Sequence, residues 1–424
     1  MGSISKKHRM GPIEKRGVVQ AYVMLVPTVA IVMAIVLFPL IANFWISLKD
    51  VTVSDLRTAE IKVNEKFKKK PIKIGDISEF EYRFNNFSKS SQITEVIFQD
   101  IIPYGLKIIE IPDVCKVSNQ NLFCNLDNFK PKEKKKLKFK TIAQEEYFLN
   151  NEDPKLSKPT VNGNAENRLL NLDLKFDNFI DIFSSPNFLK TIRISFTYSL
   201  FSALGSLGLG IIAAQLLTTT FPGRGFIRGI FLIPYIAPII AVTITWGILM
   251  DPFFGTINAL LTELDIIKEP VSFLQVANTK ISIFGFEFKF PIALTFVILF
   301  ESWRYFPLAM LFILARIQSI PKELFEAAEI DGATPTQKFR NITWPLILGV
   351  FFILFLLRFI WTFNKFDDIF LLTGGAAGTK TLTVDVYETG FNIGNLGSGA
   401  ANAVLVFLIL VVVAIFIIKF SPKE

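Results

Sequence analysis

The chain has 424 residues, of which 51% are hydrophobic and 19% charged, with a formal net charge of +8. A mean hydropathy of +0.44 is too high for a soluble globular chain. His8 is the only histidine and lies in a basic tail, and there are two cysteines, so Ser–His and Cys–His catalysis and His- or Cys-based metal sites are excluded.

Residues 1–17 form that tail, with Lys6, Lys7, Arg9, Lys15 and Arg16. Beyond it the chain reads as an all-α polytopic membrane protein carrying a β-rich extracytoplasmic insert. Six runs are almost free of charge and long enough, at about 20 residues or more, to cross about 30 Å of hydrocarbon. They lie at 18–48, 193–217, 229–250, 291–316, 344–364 and 398–419. The first is too long and bulky for a cleaved signal peptide, and Pro27 and Pro39 are expected only to bend it. Lys and Arg accumulate in short cytoplasmic loops. The tail, Arg224 with Arg228, and Lys322 with Lys338 and Arg340 alternate as they must if both termini are cytoplasmic. The net charge is thus a topology signal plus a Lys-rich insert. No nucleic-acid motif accompanies it, and no nucleic-acid partner is expected.

The insert runs over 49–188. Its segments "SQITEVIFQDIIP", "LKIIEIPDVCKV", "NQNLFCNL" and "KKKLKFKTIA" have β-branched and aromatic content with partial alternation, separated by turn residues. Cys115 and Cys124 flank "KVSNQNLF", a spacing that suits a disulfide across a hairpin in an oxidising compartment; two unrelated buried thiols are the alternative. The stretch also resembles the immunoglobulin-like repeat domains of bacterial surface proteins. Residues 145–170 are poor in apolar side chains and read as a linker. Near residue 176 an amphipathic piece, "FDNFIDIFSSPNFLKT", leads into the membrane core, 189–420.

Within that core "GGAAGTKT", Gly374 to Thr381, is not a phosphate loop, because Thr379 stands where a glycine must precede Lys380. Polar residues near the spans are better candidates, since charges at membrane depth are costly and face a pathway or one another. Glu301 and Arg304 lie three apart in the fourth run, with Trp303 and Tyr305 around them, and a local Glu301–Arg304 pair is the simple structural reading. Arg358, Asn364, Lys365, Asp367 and Asp368 cluster at the end of the fifth. Tyr235, between Pro234 and Pro238, sits where a broken helix would line a cavity.

Between the fourth and fifth runs lies a polar island, residues 317–345. Pro321 suits a first helical turn, and Leu324, Ala327, Ala328 and Asp331 follow at helical spacing. Gly332 falls where a helix often ends in the left-handed conformation, and Thr334-Pro335-Thr336-Gln337 reads as a capping box. Two short helices meeting at Gly332 are predicted. On local pattern alone this is also an ordinary capped connector.

The segment "EAAEIDGATPTQKFRNITWP" resembles the EAA loop of binding-protein-dependent ABC permeases, through Glu326, Ala327, Ala328, Asp331, Gly332, Ala333, Phe339, Ile342 and Pro345, with Trp344 departing from the usual Leu. Further segments across 176–420 resemble carbohydrate permeases of the maltose and glycerol-phosphate type. The resemblance implies a type I ABC importer permease, itself not an enzyme, in the bacterial plasma membrane. It implies that residues 321–343 couple to two ABC ATPase subunits, which hold ATP and Mg, so that no cofactor binds this chain. It also implies a second permease subunit, a periplasmic or lipid-anchored substrate-binding protein, and a sugar as substrate. Tyr235, Glu301, Trp303, Tyr305, Trp361, Thr362 and Asn364 fall in regions matching the substrate path of the maltose permease, although Glu301 and Thr362 replace its asparagines. A glycerol-phosphate or other non-sugar solute is the alternative within transport. A membrane scaffold working through the β-insert is the alternative outside it.

Overall fold

The computed structural model describes residues 12–56, 59–88, 91–150, 159–165, 167–283 and 286–420. The tail residues Lys6, Lys7, His8 and Arg9 and part of the expected linker, 151–158, lie outside the described residues. The chain divides into two compact units, one holding the apolar helices and the other residues 48–178 with 393–397.

The second unit is a sandwich of antiparallel sheets. One sheet takes the order β1-β2-β7-β4, formed by β1 (Ile61–Lys69), β2 (Ile77–Asn86), β4 (Leu106–Glu110) and β7 (Lys134–Ala143). The other takes the order β5-β6-β3-β8, formed by β3 (Ile93–Ile101), β5 (Cys115–Ser118), β6 (Asn121–Asn125) and β8 (Thr160–Ala165). Alternate residues of each strand point inward. Phe80, Tyr82 and Phe84 of β2 meet Phe98 of β3 and Phe139 of β7 in one aromatic core, with Tyr82 and Phe98 centroids 4.8 Å apart. Strands β5 and β6 turn through Asn119 and Gln120, both at positive φ, the conformation a tight two-residue hairpin requires. That register sets Cys115 directly opposite Cys124, and the two are joined as a disulfide.

Two differences from the sequence reading concern this unit. Strands β1 and β2 lie outside the segments named above, although "IKVNEKFKK" alternates in part, with Ile61, Val63 and Phe67 on the inward face. The expected linker also contains β8, which is short and mostly polar; it is held by main-chain pairing to β3, with only Val161 and Ala165 packing against the core. Its Gly163 lets the backbone approach closely, since a Cβ there would lie 2.6 Å from Ile93 Cγ2.

In the first unit α1 (Gln20–Ser47) is a single helix through Pro27 and Pro39 with a π-helical turn at Met33–Leu37. The long helices α2 (Phe188–Leu216), α5 (Ile292–Gln318), α7 (Pro335–Phe363) and α10 (Leu396–Phe420) are each long and apolar enough to span. The third apolar run is not one helix. It is broken into α3 (Arg224–Ile236) and α4 (Ile239–Leu249), bent by 93°. The helices pack through small residues, as membrane helices do when shape rather than hydrophobicity drives association. A Cβ on Gly210 of α2 would lie 2.6 Å from Ala309 Cβ of α5. Residues 179–188 belong to this unit rather than to the insert, because Ile182 packs against Ala401 and Leu405 of α10. Between α5 and α7 lies α6 (Lys322–Ile330). After α7 come α8 (Asp367–Thr373) and α9 (Leu382–Tyr387).

Candidate functional site

Helix α5 carries charge to two sides. On one side Glu301, fully buried, accepts from Arg358 Nη2 of α7 at 2.8 Å and from the Thr362 hydroxyl at 3.3 Å. Lys365 Nζ lies 3.8 Å from the same carboxylate and 2.8 Å from Asp368 of α8, and it also donates to the Tyr305 hydroxyl. The Arg358 guanidinium stands 4.2 Å from the Tyr305 ring centre, within cation–π range. Two acids thus face two bases where an unpaired charge would be expensive. The backbone carbonyl of Lys365 accepts from Thr383 of α9, which ties the turn after α7 to the rest of the cluster.

On the other side Arg304 does not pair with Glu301. Its Nη1 donates to the Pro234 carbonyl at 3.3 Å and its Nη2 to the Ala237 carbonyl at 3.0 Å. The expected local pair fails because Glu301 is already held by Arg358 and because the broken helix leaves carbonyls in need of donors. Tyr235, one residue from that contact, packs edge-on against Tyr305 with centroids 5.8 Å apart.

The structure therefore gathers Tyr235, Glu301, Tyr305 and Thr362 into one cluster. It does not gather the others. Trp303 packs into a separate aromatic group with Trp246 of α4 and Phe300, 5.4 and 6.4 Å away. Trp361 is 51% exposed and Asn364 is exposed, turned from the buried face that carries Arg358 and Thr362. Arg358, Lys365 and Asp368, which the sequence marks as charges near the end of the fifth run, join this cluster although they are not among the residues matched to the substrate path. Their position at membrane depth was the available signal.

The polar island forms as one short helix, α6, meeting the start of the long α7 at a turn; the second helix is not the short one expected, because the chain continues from Pro335 without a break into the span ending at Phe363. Pro321 is the residue before the helix, in an extended conformation, rather than its first helical residue. Helix α6 ends with Gly332 at φ +74°. The Gly332 N–H donates to the Glu329 carbonyl at 3.0 Å and the Ala333 N–H to the Ala328 carbonyl at 2.8 Å, closing the last turn. Thr334 then caps α7: Gln337 N–H donates to its hydroxyl and Gln337 Oε1 accepts from its N–H at 2.7 Å. Lys338 reaches back to Glu329 at 2.7 Å and pins the two helices together. No residue of α6 is buried. Glu326, Ala327, Asp331 and Gly332 are exposed, with Ala328 and Ala333 half-buried.

Residues 206–423 match the family described as the binding-protein-dependent transport system inner membrane component, and the chain belongs to that family. It is 31% identical over 251 residues to the sn-glycerol-3-phosphate transport system permease protein UgpA of Agrobacterium fabrum, covering 58% of this chain and 80% of that protein. It is 32% identical over 243 residues to the trehalose/maltose transport system permease protein MalF of Thermococcus litoralis, covering 57% and 77%. The fold is that of a bacterial ABC transporter involved in the import of the acidic polysaccharide alginate, with a TM-score of 0.52 at 22% identity over 58% of this chain and 83% of that one. This chain is a permease subunit of a binding-protein-dependent ABC importer.

Proposed function

We propose that the chain forms half of a sugar translocation path in the bacterial plasma membrane, with both termini cytoplasmic, and that a second permease subunit completes it. Residues 321–343 dock on ATPase subunits that bind ATP and Mg, and a binding protein delivers an oligosaccharide or disaccharide from outside. The chain hydrolyses nothing itself. The observation that carries the coupling is α6, a helix capped at its C-terminal end and followed by a capped turn, yet with no buried residue. Closure of the ATPases on ATP then moves α5 and α7, joined directly to that loop, as rigid bodies.

A glycerol-phosphate substrate is the second reading, supported by the similarity to UgpA. It is less well served by the cations at hand. Arg304, Arg358 and Lys365 are committed to backbone carbonyls, Glu301 and Asp368. The test of coupling is Glu326→Lys, which places a cation on the face expected to meet the ATPase. Protein level is expected to be normal while ATPase subunits no longer co-purify; retained co-purification and uptake would show that the loop is only a connector. A panel of sugars and phosphate esters, offered with the cognate binding protein, decides the substrate class by which members stimulate ATP hydrolysis.

A further inference from the structure

Arg304 lies in the middle of α5, 6% exposed, and its two terminal nitrogens are spent on the carbonyls of Pro234 and Ala237. The Pro234 carbonyl lacks a helical partner for a covalent reason. In an unbroken helix the Pro234 carbonyl would accept from the N–H of residue 238, and residue 238 is proline. Ala237, at ψ 140°, then turns the chain out of the helix, and α4 restarts with the Val242 N–H on the Pro238 carbonyl at 3.1 Å. The end of α3 thus leaves main-chain acceptors without a helical donor. A cation there also meets the negative end of the helix dipole.

We propose that Arg304 is a positioning residue that holds the α3–α4 bend and, through it, the Tyr235–Tyr305 contact. Its planar fork reaches two carbonyls three residues apart at the end of α3, where the chain turns, which a neutral side chain of similar length cannot do. The inference deepens the reading of this broken helix as a wall of the path and rests on that reading, but its test needs no substrate.

The test is a distance across the bend in the assembled importer in lipid nanodiscs. Spin labels replace Phe226 and Ile248, which are 75% and 60% exposed and lie on either side of the break. Cys115 and Cys124 are disulfide-bonded and do not compete for label. At a rise of about 1.5 Å per residue, two arms at a right angle put these backbones about 23 Å apart, and a straight helix puts them about 33 Å apart. The native protein and Arg304→Lys, which keeps a cation at the carbonyls, are expected to give a narrow distribution near the shorter value. Arg304→Gln is expected to broaden and lengthen it, and an unchanged distribution in that variant overturns the proposal. Should Arg304→Gln fail to assemble, Arg304→Gln/Pro238→Ala restores an N–H to the Pro234 carbonyl. Assembly of that double variant with the longer distance supports the proposal; no assembly, or the shorter distance, overturns it. Failure of the native importer to take up any sugar, with its distance at the shorter value, would count against the sugar-transport reading and leave this proposal standing.

Discussion

Glu301–Arg358 and Glu329–Lys338 are ion pairs of almost equal length, 2.8 and 2.7 Å. Their side chains are 0% and 2% exposed in the first and 63% and 21% exposed in the second. In the first setting neither charge has water to fall back on, so each is hostage to the other, and the pair fastens α5 to α7. In the second, water replaces a lost partner at little cost, so the pair shapes the turn without tying its charges down. The two regions show one chemistry used in two ways. Buried charge joins helices within the chain, and exposed charge on a capped helix stays available to another subunit.

The sharpest way to break this comparison is Arg358→Met. It leaves Glu301 with the Thr362 hydroxyl as its neutral partner and Lys365 as its remaining cation, 3.8 Å from its second oxygen, and should cost about 3–5 kcal/mol of unfolding free energy. Glu301→Met/Arg358→Met should recover most of that loss. Thermal or denaturant unfolding in detergent reads both, and a single variant as stable as the native protein would mean that the cluster is hydrated.

A smaller effect is expected at Gly332→Val. The residue sits at φ +74° with open space around its Cα, so the penalty is conformational rather than steric crowding, about 1–2 kcal/mol confined to the turn. Expression should be unchanged, while ATP hydrolysis stimulated by the binding protein should fall. Undiminished stimulation would show that the angle between α6 and α7 is immaterial to coupling.

Lys338→Ala should barely register. Loss of its contact with Glu329 is worth under about 0.5 kcal/mol, and raising ionic strength should erase the difference from the native protein. A larger, salt-resistant loss measured in the same unfolding experiment would place this pair with the buried one and dissolve the contrast.

Much of the fold was legible because hydrophobic runs and capping residues act locally. The apolar stretch at 291–316 became α5 at Ile292–Gln318, and Thr334 with Gln337 forms the box that their spacing announced. Strand β8 was not legible, because its short, mostly polar sequence carries no clear pattern and it is placed by pairing with β3, dozens of residues earlier. Strands β1 and β2 did carry a signal in their alternation, which went unused among the charges of the insert.

The choice of partners was beyond local reading for a different reason. Glu301 has Arg304 three residues away and instead bonds Arg358, 57 residues on, because facing helices bring that guanidinium to it. Arg304 turns to two carbonyls at the end of α3, of which that of Pro234 is left without a helical donor by Pro238. The sequence by itself determined the apolar spans, the capped turn at Gly332 and the residue, Pro238, at which a helix could not continue. Each of these follows from side-chain transfer energy or backbone chemistry within a few residues. Only the tertiary structure decided which charge met which, that Trp303 packs with Trp246 while Tyr235 meets Tyr305, and that the third apolar run bends through 93°. Those outcomes depend on which groups are brought together in a medium without water, and the contacts that set them are made by helices far apart in the chain.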